Sequence, residues 1–109
     1  MNFRSTVETA LSTLNIPVKH LVYTGVKTVP YCIFHRYNVQ GAQYTEGREK
    51  VTGHYIQVDI YGPSDVTDYG NTAEALMVAA GAIRIGGQST YEDETKLFHD
   101  SRDYLFESA

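Results

Sequence analysis

Apolar positions along the chain follow two periods, and the switches between them mark out the elements. Phe3, Val7, Ala10, Leu11 and Leu14 recur at helical spacing and predict a short helix over residues 3–14. Asn15 and Pro17 stop it, because the residue before a proline avoids the right-handed helical region. Val18–Tyr23 reads as a first strand, broken at Thr24-Gly25. Pro30 opens a second strand, Tyr31–Val39, apolar on both faces and therefore expected to be central and covered on both sides. Residues 40–50 keep no period, and their glycines, charges and amides read as a long hairpin loop. Val51–Tyr61 alternates most clearly, with His54, Ile56, Val58 and Ile60 on one row and Tyr55, Gln57, Asp59 and Tyr61 on the other.

Gly62-Pro63 ends that strand, and Ser64 or Asp65 caps a second helix running to about Ala82. Val66, Tyr69, Ala73, Leu76, Met77 and Ala80 supply its stripe, while Gly70 weakens it by roughly 1 kcal/mol relative to Ala. Gly81 fits its C-terminal end. Ala82–Ile85 begins another strand, Gly86-Gly87 breaks or turns the chain, and Gln88–Glu92 resumes an extended pattern. Asp93-Glu94 reads as a turn, and Thr95–Phe106 as a last strand. The polar run Asp100-Ser101-Arg102-Asp103 inside it predicts a bulge or an exposed edge. The order is α-β-β-β-α-β-β. It predicts an α+β fold in which a mainly antiparallel sheet of four or five strands is flanked by two helices.

Length and composition narrow this further. The 109 residues suit one domain spanning 1–109, large enough for a core without a metal or disulfide staple. Nine Tyr and four Phe with no Trp fit either strand preference or surfaces that become buried on assembly. The net charge of −4 and the scattered basic residues argue against a nucleic-acid-gripping face. Cys32 is the lone cysteine, which excludes an intramolecular disulfide and a CxxC metal site. No signal-peptide pattern and no membrane-length apolar run is visible, so the chain reads as made in a reducing cytoplasm and not bound to a membrane.

Candidate chemistry is sparse. Neither GxGxxG nor GxxxxGK[ST] occurs, and Gly86-Gly87-Gln88-Ser89-Thr90 follows a helix instead of opening one. His20, His35, His54 and His99 all fall on predicted strands, yet no HxH or HxxxH pair sets them up as metal ligands. Cys32, His99 and Asp59 are the residue types of a nucleophile, base and orienting acid, but nothing places them together. The acidic turn at Glu92-Asp93-Glu94 and the pair Asp100 and Asp103 lack the spacing of a calcium loop. Each of these has a plainer structural reading, so the chain is expected to work by association and not by catalysis, with no cofactor.

Three stretches carry a resemblance to a known family. They are the N-terminal helix leading through Pro17 to Tyr31-Cys32-Ile33-Phe34-His35-Arg36-Tyr37, the strand His54-Tyr55-Ile56-Gln57-Val58-Asp59-Ile60-Tyr61 before a turn and helix, and the acidic Tyr91-Glu92-Asp93-Glu94 leading to Tyr104-Leu105-Phe106. Over its full length the chain resembles the tail-terminator or tail-completion proteins of long-tailed bacteriophages. That resemblance implies a virion protein of the head–tail junction, made in the host cytoplasm. It implies a ring, usually of six copies, that caps the tail tube and meets a tail-tube protein and a head-completion or connector protein. DNA passes through without specific binding. A connector or tail-tube-like role is the alternative, and a small metal-dependent hydrolase built on the strand histidines is a second. A salt-sensitive DNA-binding regulator is a third, disfavoured by the charge. Tyr44, Arg48 and Lys50 in the 40–50 segment are the expected subunit-contact residues, since Tyr and Arg are enriched at interfaces.

Overall fold

The computed structural model describes residues 2–24, 29–45 and 48–108, with the backbone alone for 42–45 and 48–51. The elements are α1 (Phe3–Ala10), β1 (Val18–His20), β2 (Tyr31–Thr45), β3 (Arg48–Gly62), α2 (Thr67–Ala79), β4 (Ile83–Glu92) and β5 (Leu97–Ser108). This is the expected α-β-β-β-α-β-β order and an α+β fold. The strands form one five-stranded sheet in the order β1-β2-β3-β5-β4. All pairs are antiparallel except β1 with β2, which run parallel. The reading of that connection as a hairpin is thus corrected: the chain returns to the same end of the sheet before β2 begins, as a parallel pair requires.

Local signals explain most boundaries. Asn2 caps α1, its side-chain oxygen accepting from the Ser5 amide at 3.1 Å. The helix ends at Ala10, short of the expected Leu14, and Asn15 adopts a left-handed φ of 69°. The Asp65 carboxylate accepts from both the Thr67 amide and its hydroxyl, at 2.9 and 2.6 Å, so α2 starts two residues beyond the expected cap. Gly81 closes the helix at φ 106°.

Both helices lie on one face of the sheet. Val7 of α1, Leu11 just after it, and Ala73 and Met77 of α2 pack on Phe34, Ile56, Val58, Ile60, Tyr104 and Phe106, all buried. Cys32 joins this core. The opposite face of β2, carrying Ile33, His35 and Tyr37, has no helix over it among the described residues, which corrects the expectation of a strand covered on both sides. Tyr37 sits at a register shift between Arg36 and Asn38 and is 48% exposed.

Two further differences concern polar stretches. The 40–50 segment is not a long loop. The β2–β3 ladder continues through Gln43↔Val51, Tyr44↔Glu49 and Thr45↔Arg48, and the residues joining the strands, 46 and 47, lie outside the described residues. Because β5 pairs with β3 only as far as Thr52↔Ser108, the tip of this hairpin is a two-stranded arm beyond the sheet. Second, Asp100-Ser101-Arg102-Asp103 is neither a bulge nor an edge. It lies in β5, paired without a register shift to β3, with Asp100, Ser101 and Arg102 all buried. The bulge falls instead in β4, between Arg84 and Gly86, and Gly86-Gly87 continues the strand instead of breaking it.

Candidate functional site

The buried charges of β5 are held from α2. Arg102 donates to Asp100 through Nε at 2.9 Å, to Glu74 through Nη1 at 2.9 Å and to Asn71 through Nη2 at 2.9 Å. Ser89 on β4 donates to the other Asp100 oxygen at 3.3 Å. Burial works against the Arg102 charge, but Asp100 and Glu74 together raise its pKa. Each charge in the cluster is paired, and the cluster ties α2 to the sheet. The close approach explains Gly70, since a Cβ there would lie 2.6 Å from the Asp100 carboxylate.

The helix-free face carries a different set. Tyr23, Tyr31, Tyr61 and His99 form a row of ring contacts across the sheet, at centroid distances of 5.3, 5.2 and 4.2 Å. His99 Nε2 lies 2.8 Å from Asp59 Oδ1, and Gln57 donates to the same oxygen at 2.9 Å and to Ser101 Oγ at 2.9 Å. Burial pushes the Asp59 carboxyl up, but these hydrogen bonds outweigh it and hold the group below its ordinary value. Burial, with Asp59 nearby, pushes the Tyr61 phenol up to about 12. Beside this group a shallow polar depression of about 300 Å³ is lined by Gln57, Gly87, Gln88, Ser101 and Asp103.

The structure therefore assembles two of the three candidate triad residues and leaves the third apart. Cys32 is fully buried on the helix side, where desolvation, with Asp59 second, pushes its thiol up to about 12. His99 and Asp59 sit on the other side of the sheet. The four histidines are likewise dispersed. His20 packs between Phe3 and Phe34, and His35 lies near Tyr37 on the open face. The Arg36 guanidinium donates to His54 Nδ1 at 3.2 Å, which leaves His54 Nε2–H to donate to Ser108 at 3.1 Å. Among the described residues no group of three or more His, Cys, Asp or Glu is placed to hold a metal. Among the described residues no helix is long and apolar enough to cross a membrane.

Association features are better developed. β4 is an edge strand of ten residues, exposed along most of its length, with Ile83 56%, Ile85 47% and Tyr91 47% exposed. At the other edge β1 has three residues, so β2 beyond Phe34 has no sheet neighbour on that side among the described residues. The molecule measures 52 × 25 × 23 Å, with a radius of gyration of 14.9 Å against about 13 Å for a compact chain of this length. Tyr44, Arg48 and Lys50 fall on the hairpin arm, but their side chains lie outside the described residues.

A solved structure shares this architecture. The chain superposes on a chain of the virion of a native gene transfer agent particle with a TM-score of 0.60, covering 91% of this chain and 81% of that one at 12% identity. At that identity the likeness is one of fold. No family model matches the sequence, and no curated protein matches it.

The sheet edges and the buried β5 charges were the features that residue types alone did not reveal. The available signal for the second was the even spacing of Asp100 and Arg102 with Tyr104 and Phe106, which puts all four on one face of a strand.

Proposed function

We propose that this chain is a structural virion subunit that forms a ring at the head–tail junction of a phage-type particle, as a tail terminator or tail-completion protein. The observation that carries the reading is the shared fold, over nine-tenths of the chain, with a component of a virion. The surface supports it: a projecting two-stranded arm and exposed sheet edges suit contact with neighbouring subunits, whereas the buried Arg102 is spent on holding α2 to the sheet. The ring has six copies, with a tail-tube protein on one side and a head-completion or connector protein on the other. DNA passes its lumen without specific binding. The arm, with Tyr44, Arg48 and Lys50, reaches the adjoining subunit. The chain is one domain and not an enzyme.

Purified protein, mixed with the tail-tube protein of the same particle and viewed by negative-stain microscopy, is expected to show rings seated at tube ends. Light scattering after size exclusion checks the copy number. Continuous incorporation along the tube would move the reading to a tail-tube role. A chain that stays monomeric and binds no tail component would sink it.

A further inference from the structure

The two edges of the sheet differ in kind. Around β1, β2 and α1 the described charged residues are Arg4, Lys19 and Arg36 against the single Glu8. This grouping is spatial: Arg36 lies over the Phe3 ring, and Phe3 packs on His20. Leu21 and Val22, directly after β1, are 60% and 63% exposed. Around β4, α2 and their flanking turns the balance reverses, with Asp65, Asp68, Glu92, Asp93 and Glu94 against Lys96, while Glu74 is taken up by Arg84 and Arg102. Here Val78, Ile83 and Ile85 are 52%, 56% and 47% exposed. One edge is thus apolar and cationic, the other apolar and anionic. Three strands lie between them, which sets the edges four strand spacings apart, about 19 Å.

We propose that the β1 edge of one copy docks on the β4 edge of the next, so that the partner of each edge is a second copy of this chain. The proposal rests on the ring reading and names the surfaces that build it. Edge-to-like-edge contact is disfavoured on both sides. A parallel β4–β4 contact would set Glu92, Asp93 and Glu94 against themselves, and a parallel β1–β1 contact would set Lys19 against its own copy. The unlike pairing joins apolar surface to apolar surface and cations to anions. Because the two patches differ, the contact is heterologous. It repeats from copy to copy until rotation closes it into a ring.

The test uses full-length chains with one edge blocked: Leu21→Asp with Val22→Asp on one side, Ile83→Asp with Ile85→Asp on the other. All four side chains are exposed, so both variants are expected to keep the parent circular dichroism spectrum. Should either unfold, the charge reversals Lys19→Glu and Asp93→Lys replace them. By light scattering, under conditions where the parent oligomerises, each variant alone is expected to be monomeric. An equimolar mixture is expected to stop at a dimer, because one intact edge of each kind remains. Variants that keep the parent's oligomeric state, or a mixture that stays monomeric, would overturn the edge assignment and leave the ring reading standing. A parent chain that is itself monomeric at every concentration, with tail-tube protein present, takes down the ring reading and this proposal with it.

Discussion

Arg102 illustrates how a single side chain can be misjudged from its neighbours in sequence. Within Asp100-Ser101-Arg102-Asp103 it looks solvated, but its partners Glu74 and Asn71 are 28 and 31 residues away on α2. Local patterning has no access to contacts at that separation, whereas the hydrophobic row Ile56, Val58 and Ile60 was legible because its period is local. Replacing Arg102 by Met is expected to cost about 3 kcal/mol in urea unfolding, since it strands the buried Asp100 carboxylate. Adding Asp100→Asn to that variant is expected to recover part of the loss. Asp59 gives a pH signature. Its carboxyl titrates below the ordinary 3.8 when folded, so it stabilises the fold above that value and the contribution is lost as pH falls through the folded one. Unfolding midpoints measured from neutral pH to below about pH 4 are expected to drop in the parent, with a shallower acid limb in Asp59→Asn. The Asp59–His99 pairing was not readable beforehand, because it depends on the β3–β5 register.

At the level of elements, Gly70 separates intrinsic preference from packing. Helix propensity alone favours Gly70→Ala by about 1 kcal/mol. The added methyl would meet an Asp100 carboxylate that Arg102 and Ser89 hold in place. The substitution is therefore expected to destabilise the chain by about 1–2 kcal/mol in thermal or denaturant unfolding. An unchanged or raised midpoint would show that α2 lifts away from β5 at little cost. The elements with one buried face, α1, β3 and α2, were recognisable from their stripes, with ends displaced by a few residues. The 40–50 segment was not, for a physical reason. The arm lies beyond the reach of β5, and the register shifts near Gly41 and Gln43 break the parity of its alternation. The β4 strand was obscured in the same way, by a bulge beside Gly86 and by its exposure.

For the molecule as a whole, the order of elements was legible in the sequence, but not which strands end at the rim. Strand order decides that: β5 inserts between β3 and β4, so β4 is left at the edge. The arm belongs to this scale too. Charge substitutions at its proposed contact positions, such as Arg48→Glu with Lys50→Glu, are expected to weaken self-association at least about tenfold, about 1.4 kcal/mol, with the unfolding midpoint unchanged. Sedimentation of parent and variant at matched concentrations checks this. The two unlike rims carry a further consequence, of a genetic kind. In the proposed ring, a subunit blocked on one rim can still be recruited through the other, and a closed circle has no place for a member that offers only one hand. Co-expressed with the parent, such a subunit is expected to be dominant: a minority of it should cut the yield of completed rings out of proportion to its share. A gene product working as independent monomers would show only dilution.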